Sequence, residues 1–212
     1  MVPASNLWAF VLASVVLIVI PGPSVLFVIG RSLALGRAGG LLSVIGNALG
    51  MLPLVAAVAL GVGVVVAQSV LLFTGIKIAG ALYLIHLGVQ AIRHRADAAA
   101  SVTGETAPRS PGRLLGEGFV VGVTNPKTIA FFVAVLPQFV SFEAGAIPLQ
   151  MAMLGTAFVV LALACDSVWA LAAGSARDWF ARSPRRASHL ATTGGVMMIG
   201  LGGALALSGD TP

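Results

Sequence analysis

Four ionisable side chains lie inside long apolar stretches of this sequence, where a charge is hard to accommodate. They are Lys77, His86, Lys127 and Asp166. A charge within a hydrocarbon layer is costly, so such groups usually face the interior of a helix bundle. Lys127 and Asp166 fall at similar depths, on the order of 10–14 Å from one end of their stretches. These opposite charges could pair, and we favour a role in transport over a purely structural ion pair.

Lys77, Tyr83 and His86 are secondary candidates on a third apolar stretch. Lys77 lies near an end of that stretch, so its ammonium group can also reach the interface by snorkelling. A lone His in an apolar segment is more often a hydrogen-bonded packing residue than a ligand.

Two proline motifs predict breaks in apolar helices. The first is Pro21-Gly22-Pro23-Ser24 and the second is Asn125-Pro126-Lys127. Proline lacks a backbone donor, so each motif should free carbonyl groups in the preceding turn. Helix breaks at membrane depth are tolerated only inside protein or beside a water-filled cavity. Broken helices of this kind are a pointer to the binding site of a transporter.

Polar residues of several apolar stretches should converge on one layer. The predicted binding residues are Pro21, Gly22, Pro23, Ser24, Asn47, Asn125, Pro126, Lys127 and Asp166. Helix restarts after Pro23 and Pro126 would present N–H groups that favour a carboxylate, and Lys127 adds a positive charge. Asp166 could hold a substrate amine or accept a proton, so we assign it to proton coupling. The layer thus offers partners for both charged ends of an amino acid.

The composition requires that these residues be positioned by membrane-spanning helices. Of 212 residues, 58% are hydrophobic and 9% are charged, whereas a soluble domain carries about 25% charged residues. About 20 apolar residues span a bilayer as a helix. Six such segments are predicted, near 7–29, 41–65, 71–92, 118–140, 149–173 and 188–208. The predicted fold is an all-α integral membrane protein.

The basic residues cluster on one side of this six-span arrangement. Ten arginines lie in the loops after segments 1, 3 and 5: Arg31, Arg37, Arg93, Arg95, Arg109, Arg113, Arg177, Arg182, Arg185 and Arg186. The positive-inside rule makes that side cytoplasmic and places both termini outside. The net charge of +5 therefore indicates topology in an inner, cytoplasmic membrane rather than binding to nucleic acid.

The chain divides into two halves of three spans each. We predict repeat 1 at about 1–92, a cytoplasmic linker at about 93–117 and repeat 2 at about 118–212. An odd number of spans inverts the second half in the membrane, and each half carries a proline motif in its first span. This is the organisation of an inverted-topology repeat within a single transporter domain. Glycines such as Gly46, Gly50, Gly118 and Gly122 predict close helix packing.

Motifs over nearly the whole chain resemble the lysine-exporter (LysE/RhtB) family of amino-acid exporters, nearest its homoserine/threonine branch. The matching residues are Pro21-Gly22-Pro23-Ser24, the glycines from Gly36 to Gly50, Lys77, Ala81-Leu82-Tyr83-Leu84, Gly88, Phe119, Gly122, Asn125-Pro126-Lys127, Phe131-Phe132, Leu136-Pro137-Gln138-Phe139, Asp166 and Trp169. The resemblance implies a six-helix exporter of amino acids or their derivatives, driven by proton exchange. The family usually has Asn where this chain has Ser24, so substrate identity does not transfer.

Other functions were weighed against export. An intramembrane serine protease would need Ser24 as nucleophile within reach of His86 as base. A metal-ion exporter would use Cys165, Asp166 and His86, although soft metals usually need more Cys or His ligands. No phosphate-binding loop is present, so an ion gradient is the expected energy source. We expect no enzyme activity, no cofactor and no bound metal; the partners are the substrate, protons and lipid, and a homodimer is compatible.

Overall fold

The computed structural model describes residues 2–62, 70–96, 110–176 and 183–207. Helices joined by short turns make up these ranges, with no strand among them. Seven α-helices are described: α1 (Ala4–Val19), α2 (Pro23–Ala57), α3 (Val70–Arg93), α4 (Pro111–Val123), α5 (Pro126–Ala134), α6 (Ile147–Ser175) and α7 (Pro184–Leu207). A π-helical turn (Val58–Val62) extends α2, and a 3₁₀ turn (Leu136–Phe139) follows α5. The predicted all-α class is confirmed.

Two described helices are long and apolar enough to cross a membrane, namely Pro23–Gly61, which includes a sharp turn at Gly36, and Ile147–Ser175. The part of Pro23–Gly61 that follows Gly36 still exceeds the roughly 20 residues that a span needs. A third candidate span is broken, since Pro111–Val123 and Pro126–Phe139 meet at an angle of 43°. The helix α1 is apolar but has only 16 residues, fewer than the roughly 20 that a straight span needs. The described residues therefore hold two or three clear spans, and the six-span arrangement stays a prediction.

The first proline motif separates two helices, as predicted. The helix α1 ends at Val19, Ile20 and Gly22 are extended, and α2 begins at Pro23. Pro21 has no N–H to donate to the carbonyl of Leu17, while proline is well tolerated in the first turn of a helix. The predicted segment 7–29 is therefore not one helix but parts of two.

The helix α2 folds back on itself at Gly36. This glycine has φ 74° and ψ −177°, a conformation that favours a residue without a Cβ. Val28, Val44 and Ala170 belong to one buried apolar cluster, although a straight helix would separate the two valines by about 24 Å. The predicted loop after segment 1 is thus a one-residue turn. Arg31 and Arg37 lie on the two helical arms rather than in a loop.

The second arm of α2 packs closely against α4 through glycines, as the sequence predicted. A Cβ at Gly46 would lie 2.2 Å from the carbonyl oxygen of Leu115, and one at Gly122 would lie 2.1 Å from that of Asn47. No side chain fits at either distance, so glycine permits the backbones to touch. Asn47 on α2 is therefore held against α4 by backbone contact.

The predicted linker at 93–117 overlaps the start of a described helix. The helix α4 already begins at Pro111, where the Ser110 side chain accepts a hydrogen bond from the backbone N–H of Arg113. A serine N-cap followed by proline is a favourable helix start. Residues 97–109 of the predicted linker lie outside the described residues.

Polar contacts define two opposite ends of the helix bundle. At the end that we call the arginine end, Arg31 and Arg113 both pair with Glu117, and Arg37 donates to Ser175. At the other end, Asn6 donates to the carbonyl of Phe139. The broken pair α1–α2 therefore runs toward the arginine end, and the broken pair α4–α5 runs away from it.

Candidate functional site

The two helix breaks meet in the interior of the bundle. The Asn125 side-chain amide donates to Ser24 Oγ over 3.0 Å, and Asn125 Oδ1 accepts from the backbone N–H of Lys127 over 3.1 Å. Asn125 is the N-cap of α5, and Ser24 lies in the first turn of α2. A direct hydrogen bond therefore joins the motif of the first half to that of the second.

Lys127 also links the two helix breaks, through two hydrogen bonds. Its ammonium Nζ donates to the carbonyl oxygens of Leu17 (3.0 Å) and Ile20 (2.9 Å). The Leu17 carbonyl is the one that Pro21 leaves without a helical donor, and Ile20 lies in the extended turn after α1. A Cβ at Gly22 would sit 3.2 Å from the end of the Lys127 side chain. The charge thus caps backbone groups that the proline motif frees.

Asn47 and Asp166 form a second buried pair beside this junction. Asn47 Nδ2 on α2 donates to Asp166 Oδ2 on α6 over 3.1 Å. The other amide atom, Asn47 Oδ1, is buried and has no hydrogen-bond partner among the described residues. The five polar side chains of the site, Ser24, Asn47, Asn125, Lys127 and Asp166, are each only 1–4% exposed.

The anticipated pairing of Lys127 with Asp166 is not observed. Within the described ranges, no oxygen of Asp166 lies within 4.0 Å of the Lys127 ammonium. The freed carbonyls of Leu17 and Ile20 supply two acceptors that the ammonium reaches instead. The sequence predicted that the proline motifs free backbone carbonyls, but it did not predict that Lys127 binds them. The four-residue spacing from Leu17 to Pro21 was the signal that could have identified one of them.

The remaining predicted residues divide between the site and the outer surface. Pro21 and Gly22 are buried at the junction, Pro126 is partly buried, and Pro23 is exposed. Tyr83 and His86 are exposed on α3, where their rings stack and His86 Nε2 contacts Gln90 Nε2 at 3.0 Å. The secondary candidates Tyr83 and His86 are therefore not in the buried cluster. Lys77 lies on α3, and its side chain is outside the described set.

The described residues do not form the side-chain arrangement that a serine protease or a metal-ion exporter would need. Ser24 Oγ accepts a hydrogen bond from Asn125, whereas His86 contacts Gln90, so no Ser–His hydrogen bond is present between these described residues. A nucleophile would need its base within hydrogen-bond reach. The described residues also contain no group of three or more His, Cys, Asp or Glu side chains that could hold a metal ion.

The site offers groups of both charges in a dry environment. Lys127 and Asp166 come from different helices, and each is surrounded by a few fixed polar partners. Charges inside a membrane protein commonly mark substrate or proton pathways. The arrangement is thus suited to binding a small polar molecule and to moving a proton, rather than to covalent catalysis.

Comparison with known proteins agrees with this picture. The model of the LysE type translocator family matches residues 15–209. An uncharacterized membrane protein of Vibrio cholerae is 36% identical, over 95% of this chain and 97% of its own length. The uncharacterized membrane protein YrhP of Bacillus subtilis is 30% identical, over 93% and 96%. The homoserine/homoserine lactone efflux protein of Salmonella typhimurium is also 30% identical, over 94% and 95%.

No solved structure matches the chain. The family match and the relatives nevertheless cover almost its whole length. They indicate a membrane-embedded transporter rather than an enzyme. The chain belongs to the LysE type translocator family.

Proposed function

We propose that this protein is a secondary exporter of amino acids or amino-acid derivatives that works by alternating access. The observation that carries the proposal is the junction of the two helix breaks, where Lys127 of one break binds the carbonyls of the other. Discontinuous helices that meet at mid-depth are the usual substrate sites of such transporters. The family membership supports transport over other membrane functions.

The substrate class follows from the charges of the site and from one relative. An amino acid carries an ammonium and a carboxylate, and the site holds a buried carboxylate and a buried ammonium. The Salmonella relative is named for efflux of homoserine and homoserine lactone. Both compounds carry a primary amine, and only homoserine has a free carboxylate. We therefore propose small amino compounds as substrates, with the amine as their common feature.

The direction of the two broken helix pairs supports alternating access. The pair α1–α2 runs toward the arginine end and the pair α4–α5 runs away from it, so the two breaks approach each other from opposite sides. This is the relation expected of the first spans of two inverted three-helix repeats. We propose six spans in a cytoplasmic membrane, with the arginine end in the cytoplasm and both termini outside.

Asp166 is proposed as the group that couples export to protons. Its carboxylate is buried, accepts one hydrogen bond from Asn47, and makes no direct ion pair with Lys127. A buried acid in a membrane helix is a typical proton relay. An inward proton gradient would then drive the substrate outward as Asp166 alternates between its two forms.

An efflux assay tests both the proposed export of amino compounds and the proposed proton coupling at Asp166. Cells that express the chain should lose amino acids of a defined panel faster than cells without it. The variant Asp166→Asn should lower gradient-driven efflux by about tenfold or more, because the amide cannot carry the proton. Glu143→Gln, which alters an exposed acid at the opposite end, is the matched control and should retain efflux. Unchanged efflux and pH dependence in Asp166→Asn would rule out the coupling.

A further inference from the structure

The side chain of Asn47 presents a buried acceptor with no donor. Its Oδ1 lacks a hydrogen-bond partner among the described residues, and the residue is only 1% exposed. Leaving a buried acceptor unpaired is unfavourable, because the group has lost its hydrogen bonds to water. Native structures have few such atoms, and each one calls for an explanation. A hydrogen-bond donor that binds Asn47 Oδ1 only during the transport cycle would explain why this atom is unpaired here.

The orientation of this amide is set by its neighbour. Asn47 Nδ2 donates to Asp166 Oδ2 over 3.1 Å. The reversed amide would bring its oxygen against the oxygen of an ionised carboxylate, which can only accept hydrogen bonds. The unpaired Oδ1 and the Asp166 carboxylate are therefore two acceptors held in one fixed unit. Close packing of Gly122 on the Asn47 carbonyl keeps this unit in place.

The chain's nearest cation does not fill this acceptor pair. The Lys127 ammonium is bound to the carbonyls of Leu17 and Ile20. Arg31 and Arg113 pair with Glu117 at the arginine end, and Arg37 binds Ser175 there. The two acceptors thus combine one negative charge with a free oxygen, which is the complement of an ammonium group.

We propose that Asn47 Oδ1 and the Asp166 carboxylate form the subsite for the primary ammonium group of the substrate. Asn47 then determines specificity for amino compounds over their hydroxy analogues. An ammonium carries three donors and a positive charge, so it satisfies both acceptors, whereas a neutral hydroxyl has a single donor. The inference rests on the proposed export function. It also explains why the substrate would exchange for a proton, since the Asp166 carboxylate cannot bind the ammonium group and a proton at the same time.

Counterflow in vesicles that contain the purified full-length protein tests this subsite. The amino acid that the wild-type protein moves best is compared, as a competitor, with its 2-hydroxy analogue. Wild-type protein should prefer the amino compound by about a hundredfold or more, because a neutral hydroxyl offers one donor and no positive charge to the two acceptors, one of which would stay unpaired. The variant Asn47→Leu should reduce that preference by at least about tenfold, through weaker binding of the amino compound.

Ser32→Ala is the matched control. Ser32 lies on the same helix and also has a buried side-chain oxygen without a hydrogen-bond partner in the part of the chain that the structure describes, but it is not part of the polar site. Its substitution should leave the preference unchanged. Asn47→Ala removes the same oxygen as Asn47→Leu without added branching, so the test remains decisive if the leucine variant does not insert.

The outcomes separate the subsite from the export function. Equal competition by the two compounds in wild-type protein would overturn the subsite, and so would an unchanged preference in both Asn47 variants. A matching loss of preference in Ser32→Ala would also overturn it, because the effect would then be general. If wild-type vesicles exchange no amino compound at all, the export function itself fails.

Discussion

Lys127 is a charge whose partners are backbone atoms rather than a carboxylate. Its ammonium group binds the Leu17 and Ile20 carbonyls, which the first proline motif leaves without helical donors. In a membrane interior, such carbonyls have no water to bind. The lysine therefore stabilises the break in the other half of the chain. It also places a positive charge where a substrate carboxylate could displace a carbonyl as its partner.

Replacing Lys127 with methionine should abolish efflux. Methionine keeps much of the volume but leaves two buried carbonyls without a donor, at a cost of about 1–3 kcal/mol each. The protein should still insert, with a lower thermal midpoint in detergent, while substrate efflux falls to the background of cells without the chain. Thr128→Val, a change at the adjacent buried position, should keep efflux. Full activity in Lys127→Met would show that the ammonium is not needed.

The members of the site could be predicted from the sequence, but their pairing could not. Ser24, Asn47, Asn125, Lys127 and Asp166 were identifiable because polar residues are rare in these apolar stretches, and all five are buried in the structure. The partners depend on how the helices are rotated and spaced. Depth alone allowed Lys127 to meet Asp166, whereas the fold brings a pair of carbonyls closer to the ammonium.

At the scale of elements, the two broken helix pairs contact each other at two levels. Ser24 and Asn125 join them at the breaks, and Arg31 and Glu117 join α2 to α4 nearer the arginine end. Arg31 also lies over the ring of Phe27, 5.0 Å from its centre. In the proposed alternating-access cycle, this second contact would act as a gate between the arginine end and the polar site.

Charge reversal at Arg31 should open this contact. A partly exposed ion pair contributes about 1 kcal/mol, or roughly a fivefold shift in population. Arg31→Glu should therefore speed thiol labelling of Ser24→Cys from the arginine end, measured in a Cys165→Ser background. Adding Glu117→Arg should restore slow labelling. Arg113→Glu is the matched control, because Arg113 and Glu117 lie on the same helix. Equal acceleration by both single changes would contradict the gate.

The element boundaries show what the sequence pattern does and does not determine. The segment predicted at 149–173 is α6 at Ile147–Ser175, since the long apolar run 149–173 contains no proline and its one glycine, Gly155, lies within a continuous helix. The segment predicted at 7–29 is two helices, and α2 continues to Gly36 before it turns. Hydropathy sums over such breaks and reports only the total apolar length. The turn at Gly36 depends on a positive φ that hydropathy does not register.

For the whole molecule, the arrangement of charges at the two ends supports the proposed orientation. Arg31, Arg37 and Arg113 are gathered at the arginine end by their contacts with Glu117 and Ser175. The opposite end holds the start of α1, the 3₁₀ turn after α5 and the start of α6. Positively charged ends stay in the cytoplasm. The inverted-repeat proposal requires this same orientation, because the two broken pairs must enter from opposite sides of the membrane.

Cysteine labelling in cells tests that orientation, with each new cysteine placed in a Cys165→Ser background. Ala38→Cys lies just after the Gly36 turn, and Ala144→Cys lies before α6; both positions are exposed. An impermeant thiol reagent should label Ala144→Cys in intact cells. It should label Ala38→Cys only after permeabilisation, because the arginine end faces the cytoplasm. Ala4→Cys should behave like Ala144→Cys if the N-terminus is outside.

Labelling of Ala38→Cys in intact cells would show that the orientation is the reverse of the one proposed. Labelling of Ala4→Cys and Ala144→Cys from opposite sides would exclude the proposed arrangement of the broken pairs.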